Sequence, residues 1–98
     1  MLYYNVVIYM RMRKKPNLIP RMEKCAHVQV KEPEELKGKW RDGTEYKNVY
    51  LEIGCGKGKF ISELAAREPD RFFVAIEGNK SVMLRAMEKI RKLGLKNV

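Results

Sequence analysis

The stretch Val49-Tyr50-Leu51-Glu52-Ile53-Gly54-Cys55-Gly56-Lys57-Gly58-Lys59-Phe60 decides the fold. It begins as a short apolar run rich in β-branched and aromatic residues, which is typical of a buried strand. Glycines then occupy positions 54, 56 and 58, and a helix-like pattern follows at once. A strand, a glycine turn and a helix N-terminus form the unit with which α/β proteins hold anionic or nucleotide-like ligands. Glycine suits this turn because a side chain would keep the ligand away from the backbone.

The spacing of the three glycines narrows the choice of ligand. A dinucleotide-binding fingerprint reads G-x-G-x-x-G, and Lys59 stands where that pattern requires its third glycine. An oxidoreductase that binds NAD therefore stays an alternative, with Lys59 as the evidence against it. With Glu52 placed two residues before Gly54, the turn looks like motif I of class I methyltransferases that depend on S-adenosylmethionine.

An acidic residue after a second predicted strand supports a nucleotide-type cofactor. Residues 72–76 read Phe-Phe-Val-Ala-Ile, and Glu77 follows them. A carboxylate at the end of this strand can accept hydrogen bonds from both hydroxyls of a ribose. Glu77 lies 19 residues beyond Gly58, which is about the spacing expected of such an acid. The two features together predict a cofactor site more strongly than either alone.

Two helices are predicted around this second strand. The first would follow the turn and end near Arg67, with an apolar face made of Phe60, Ile61, Leu64 and Ala65. The second would run from about Lys80 to Leu93 after an Asn79 cap and end at Gly94. Its predicted buried stripe contains Met83, Ala86, Met87 and Ile90. Residues 95–98 would approach a third strand.

The N-terminal half is predicted to be less regular. Pro20 is expected to keep residues 16–20 non-helical, so that a short helix would begin only at Arg21. Residues 33–36, Pro-Glu-Glu-Leu, favour a short helical turn. Trp40 is the only tryptophan, and it could either pack against the sheet, which we favour, or stack on a base.

The formal net charge of +9 in 98 residues favours a polyanionic partner, with RNA or DNA as the leading candidate. The basic residues of the N-terminal run are predicted to neutralise phosphates; they are Arg11, Arg13, Lys14 and Lys15. A solvated tail without a partner is the alternative. Apolar residues make up 45% of the chain, and no run approaches the roughly 20 residues that cross a membrane. Cys25 and Cys55 are far apart and form no metal-ligand pattern, so a reduced, cytoplasmic setting is expected.

The predicted fold class is α/β, as the N-terminal part of a doubly wound, Rossmann-like sheet that is incomplete within this chain. Residues 1–47 would form a basic arm with a short helical segment, and residues 48–98 the first half of the cofactor-binding domain. Because only two strands and two helices precede Val98, we expect the chain to be the N-terminal portion of a longer protein or a truncated gene product. Residues 1–9 differ in composition from the rest. They could form an extra strand, but we favour translation from an upstream start codon, with the functional chain beginning at Met10 or Met12.

These residues resemble one family closely, the bacterial tRNA (guanine-N7-)-methyltransferases. The resemblance covers residues 10–98 and rests on residues 10–16, 35–40, 51–61, 75–77, 80–82 and 85–86. It implies methyl transfer from S-adenosylmethionine to guanine N7 in the variable loop of tRNA, without a metal. Glu52 would then lie near the methionine end of the cofactor and Glu77 at its ribose, with the backbone of Gly54, Cys55, Gly56 and Gly58 beside it.

The same resemblance implies that the catalytic and guanine-binding residues of the family lie beyond Val98. No catalytic residue is therefore assigned, and the chain is expected to be inactive alone. The basic arm would help to hold tRNA, and the oligomeric state stays open between monomer and homodimer. A basic RNA-binding fragment without enzymatic activity is a further alternative.

Overall fold

A computed structural model describes residues 17–42 and 45–98, which form three α-helices and a two-stranded parallel sheet. The elements in chain order are α1 (Leu18–Lys24), a 3₁₀ turn (Pro33–Leu36), β1 (Val49–Ile53), α2 (Lys59–Arg67), β2 (Phe72–Ile76) and α3 (Lys80–Leu93). The predicted order of strand, helix, strand and helix is confirmed. No helix in this part of the chain is both long and apolar enough to cross a membrane.

The two strands pair in parallel, from Val49 opposite Phe72 to Ile53 opposite Ile76. A parallel pair requires a crossover connection, and α2 provides it. The main core lies between the sheet and the helices; its buried members are Cys55, Ile61, Ala65, Phe73 and Ala86. This register brings the carboxyl ends of both strands to one edge of the sheet.

Asn97 ties the segment after α3 to the rest of the fold. Its backbone oxygen accepts a hydrogen bond from the Phe73 N–H at 2.8 Å, on the side of β2 away from β1. Its buried side-chain amide donates to the carbonyl oxygens of Ala65, Glu68 and Arg71 at 2.9–3.0 Å. These carbonyls belong to the end of α2 and the following turn, where helix carbonyls lack intrahelical partners. Asn97 therefore joins α2, β2 and the chain after α3.

The prediction for the first helix was wrong at its start. Helix α1 begins at Leu18 and contains Pro20, which a first turn tolerates because an N–H at that position would have no intrahelical acceptor. The helix packs on α3, where Arg21 donates to both carboxylate oxygens of Glu88 at 3.0 and 2.6 Å. This hydrogen-bonded pair lowers the pKa of Glu88. Beside it, Cys25, Leu84 and Met87 form a second buried cluster.

The predicted apolar faces of the later helices are partly confirmed. In α2, Ile61 and Ala65 are buried, whereas Phe60 is 61% exposed. In α3, the predicted stripe is largely confirmed, but the fully buried Leu84 was not part of it. Leu84 turns towards α1 rather than towards the sheet, so α3 has a wider apolar face than a single stripe. The predicted caps of α3 are confirmed, since Asn79 Oδ1 accepts from the Val82 N–H at 3.1 Å and Gly94 has a φ of 66°.

Gly58 should be intolerant of a side chain. Its φ is +79°, and a Cβ there would lie 2.8 Å from the Ala86 Cβ and 2.9 Å from the Ala86 Cα. Gly58→Ala would therefore force α2 and α3 apart, and we expect it to lower the free energy of unfolding by about 3 kcal/mol or more, from strain and overpacking together. Chemical denaturation followed by circular dichroism measures this loss.

Gly94→Ala is the matched control, because Gly94 also has a positive φ but has open space where its Cβ would lie. We expect Gly94→Ala to lower the free energy of unfolding by about 1 kcal/mol, from conformational strain alone. Equal losses in the two variants would contradict the packing of Gly58 against Ala86.

Candidate cofactor site

The glycine turn is held against the end of β2. The N–H groups of Gly54 and Cys55 both donate to the carbonyl oxygen of Ile76, at 2.7 and 3.0 Å. Gly54 and Gly56 have positive φ values of 77° and 59°, and a Cβ at either would meet nothing within 4 Å. The turn therefore exposes bare backbone that a ligand can approach closely.

Glu77 connects this turn to the start of α3. Its Oε1 accepts a hydrogen bond from the Gly56 N–H at 3.0 Å, and its Oε2 accepts one from the Asn79 N–H at 2.9 Å. The Asn79 side chain in turn caps α3 at Val82. A carboxylate has about four acceptor positions, so Glu77 can still accept hydrogen bonds from the hydroxyls of a ligand.

Glu52 places a second carboxylate at the same edge of the sheet. It is the fourth residue of β1, opposite Ala75 of β2, and its side chain is half-buried. Its Oε2 is buried and has no hydrogen-bond partner among the described residues. A buried acceptor without a partner costs about 1–3 kcal/mol. This atom is therefore suited to a donor or a cation from a bound ligand.

Cys55 lies close enough to both acids to feel their charges and is only 8% exposed. Burial, and after it the charges of Glu77 and Glu52, together raise the pKa of its thiol to about 11. The thiol is 3.7 Å from the Gly56 carbonyl oxygen, to which it donates a weak hydrogen bond. Because the reactive form of cysteine is the thiolate, Cys55 is not suited to nucleophilic chemistry at neutral pH.

The structure thus brings five of the predicted cofactor residues together; they are Glu52, Gly54, Cys55, Gly56 and Glu77. The sixth, Gly58, has a different surrounding, because it faces Ala86 of α3. The four predicted RNA-binding residues, Arg11, Arg13, Lys14 and Lys15, lie outside the described residues. Within residues 17–42 and 45–98, no cluster of three or more histidine, cysteine or acidic residues could hold a metal ion.

A cavity of about 760 Å³ begins beside Cys55 and Glu77. Its walls are mainly apolar residues of the strands, of α3 and of residues 27–40. The volume lies within the usual range for small-molecule sites, about 300–1,000 Å³. Met83 and Ala86 belong to its wall, and sequence reasoning had assigned them only to the core. Their helical spacing is compatible with either role, so no sequence signal distinguished the two.

The high pKa of Cys55 predicts a pH-dependent stability. A thiol whose pKa is raised by folding stabilises the fold fully below its unfolded value, near 9, and this contribution is lost as the pH rises towards about 11. We expect the free energy of unfolding to fall between pH 9 and pH 11, and to fall less steeply in Cys55→Ala. Urea denaturation at a series of pH values compares the two proteins. Identical pH dependence in both would contradict the assignment.

The sequence matches known methyltransferases over most of its length. Residues 46–98 match the family described as "Putative methyltransferase". A tRNA (guanine-N(7)-)-methyltransferase of Acetivibrio thermocellus is 46% identical over 82 residues, which are 83% of this chain and 37% of that relative. Enzymes of the same name are 38% identical in Bacillus licheniformis and 39% identical in Clostridium acetobutylicum, each over 91% of this chain and 42% of the relative.

The chain therefore spans about two fifths of the length of these curated relatives. The family match includes both strands, the glycine turn, α2 and α3. The family match also contains the five residues that the structure brings together, which are Glu52, Gly54, Cys55, Gly56 and Glu77. On this evidence the chain belongs to the methyltransferase family that matches residues 46–98.

Proposed function

We propose that residues 48–98 form the first part of a doubly wound, Rossmann-like domain that binds S-adenosylmethionine, and that residues 1–47 precede it as a basic arm with a short helix. We further propose that the protein acts as a tRNA (guanine-N7-)-methyltransferase. The observation that carries the proposal is the pairing of Glu77 with the glycine turn. An acid at the end of β2 is bonded to bare backbone at the end of β1, which is the arrangement that a nucleoside cofactor requires.

The side chains of the site fit the two polar ends of this cofactor. Glu77 keeps acceptor capacity for the ribose hydroxyls while it holds the Gly56 N–H. The buried Oε2 of Glu52 lacks a partner and would accept a donor from the methionine end. When bound, S-adenosylmethionine supplies an electrophilic methyl group on a sulfonium cation. The two carboxylates favour a cation at this edge by Coulomb attraction.

The proposed reaction requires little acid–base catalysis from the protein. Guanine N7 carries a lone pair and no proton, so no general base is needed to make it a nucleophile. The task of the protein is to hold N7 in line with the methyl group, and such positioning accounts for a large part of many enzymatic rate enhancements. The chain's contribution is therefore to fix the cofactor, through Glu52, Glu77 and the backbone of the turn.

The proposed substrate agrees with the charge of the chain. The net charge of +9 favours association with a polyanion such as tRNA, and the names of the relatives specify tRNA as their substrate. We assign to the basic arm, through Arg11, Arg13, Lys14 and Lys15, a role in holding phosphates. A tRNA substrate also implies a cytoplasmic setting.

A chimaeric enzyme tests this function directly. The segment of the Acetivibrio thermocellus relative that aligns with this chain would be replaced by the chain's own residues, and methylation of tRNA at guanine N7 would be measured. We expect activity within about tenfold of the intact relative, because the graft supplies the same cofactor contacts. Glu77→Ala in the chimaera should reduce activity by about 100-fold or more, as expected when a positioning contact to the cofactor is lost.

Lys24→Gln in the chimaera is the matched control, since Lys24 is an exposed residue of α1 far along the chain from the site. It should leave the rate unchanged. A well-folded chimaera that binds S-adenosylhomocysteine but never methylates guanine N7 would contradict the proposed reaction. A folded chimaera that does not bind this product would contradict the proposed cofactor site.

A further inference from the structure

A second cleft, of about 690 Å³, lies at the opposite edge of the sheet. Its aromatic wall consists of Trp40, Tyr46 and Phe72. Phe72 is the first residue of β2 and pairs with Val49, the first residue of β1, so the cleft lies at the amino ends of the strands. Each strand has five residues, which corresponds to about 16 Å along the sheet at roughly 3.3 Å per residue. The cleft therefore lies at the end of the sheet away from Glu77, where it adjoins the cavity of the cofactor site and shares Trp40, Phe72 and Lys96 with it.

The aromatic side chains of this cleft remain partly accessible. Trp40, Tyr46 and Phe72 are each half-buried, and the rings of Tyr46 and Phe72 are 5.5 Å apart with an angle of 31° between their planes. Aromatic rings lining an open groove are the platform on which proteins stack unpaired nucleobases.

The positive charge near the cleft comes from the segment that contributes Lys96. Lys39 and Lys96 line the cleft together with Asp42 and Glu45, so the lining itself is balanced. The excess positive charge comes from residues 80–98, which contain six basic residues and one acid, Glu88.

Glu88 is engaged by Arg21 of α1. Positions 85, 89 and 92 of α3 share one helical face and carry Arg85, Lys89 and Lys92. Within the part of the chain that the structure describes, no acid lies within ion-pair distance of Lys89, Lys92 or Lys96. These lysines are available to bind phosphates, and Lys96 also lines the aromatic cleft.

We propose that this cleft binds a single-stranded segment of RNA. A base stacks against Trp40 and Phe72, while Lys96 and the basic face of α3 contact the neighbouring phosphates. The inference rests on the proposed function for the identity of this RNA as part of the tRNA substrate. It assigns to the protein a second RNA contact, on the edge of the sheet opposite the site of methyl transfer.

The fluorescence of Trp40 tests the proposal, because it is the only tryptophan of the chain. The 98-residue chain would be titrated with a single-stranded oligoadenylate of about 12 nucleotides, a length within the usual range for such grooves. We expect saturable quenching of Trp40, since a stacked base contacts the indole. Heparin, which has charge but no bases, and a duplex RNA of equal length, whose bases are already stacked, should quench much less.

Two variants separate stacking from charge. Phe72→Leu keeps the reporter and should weaken oligoadenylate binding about tenfold by removing one stacking ring. Lys96→Gln should lower the slope of log affinity against log salt by about 0.7, the value for one phosphate contact of a single strand. Lys24→Gln is the matched control for lost charge and should change neither quantity. Circular dichroism establishes whether each variant is folded. If Phe72→Leu does not fold, Lys96→Gln still tests the proposal.

Equal quenching by heparin or by the duplex would overturn the proposal, as would a Lys96→Gln slope equal to that of Lys24→Gln. The titrations contain no cofactor, so their outcome is independent of S-adenosylhomocysteine binding. Cofactor binding without stacking on Trp40 would contradict the proposed role of this cleft and would not affect the proposed function. Stacking on Trp40 without cofactor binding would support this cleft and contradict the proposed cofactor site.

Discussion

The carboxylate of Glu77 is the contact on which the candidate site depends. One of its oxygens accepts from the Gly56 N–H in the turn after β1, and the other accepts from the Asn79 N–H at the start of α3. Hydrogen bonds to a charged acceptor are stronger than those between neutral groups. A single side chain therefore fixes the position of the turn relative to β2 and to α3, and the ligand-facing backbone is arranged before any ligand binds.

The glycine turn has two sides with different requirements. At Gly54 and Gly56 the space in front of the backbone is open, whereas Gly58 is pressed against Ala86 of α3. A glycine motif of this kind thus combines ligand approach with helix packing, and the structure separates the residues that serve each. Asn97 also stabilises this region, since its amide holds the end of α2 in place.

Local patterns predicted the elements around the site well. The change from a β-rich run to a glycine turn, and the acid after residues 72–76, identified β1, α2, β2 and Glu77 because each signal lies within a few residues of the structure that it specifies. The double hydrogen bond of Glu77 was not predicted. It depends on the distance between two backbone N–H groups, 23 positions apart in sequence, and no local pattern encodes that distance.

The predictions that were wrong also depend on surroundings that a local sequence pattern does not contain. From sequence alone Pro20 predicts a non-helical segment, but in the first turn of α1 it costs no hydrogen bond. Leu84 was missed because its partner cluster, with Cys25, is supplied by α1. Phe60 fits the helical period of α2 and is nevertheless exposed, since period alone does not say how wide a face the rest of the fold covers.

Amide hydrogen exchange, measured by NMR in the native chain and in Glu77→Gln, tests the central role of Glu77 most directly. Glutamine has the same shape but only one acceptor oxygen, so at least one of the Gly56 and Asn79 amides must lose its partner. We predict exchange about tenfold faster at that amide, with no change at Ser62, whose N–H donates to the carbonyl oxygen of Gly58 instead. Unchanged exchange at both Gly56 and Asn79 would contradict this prediction.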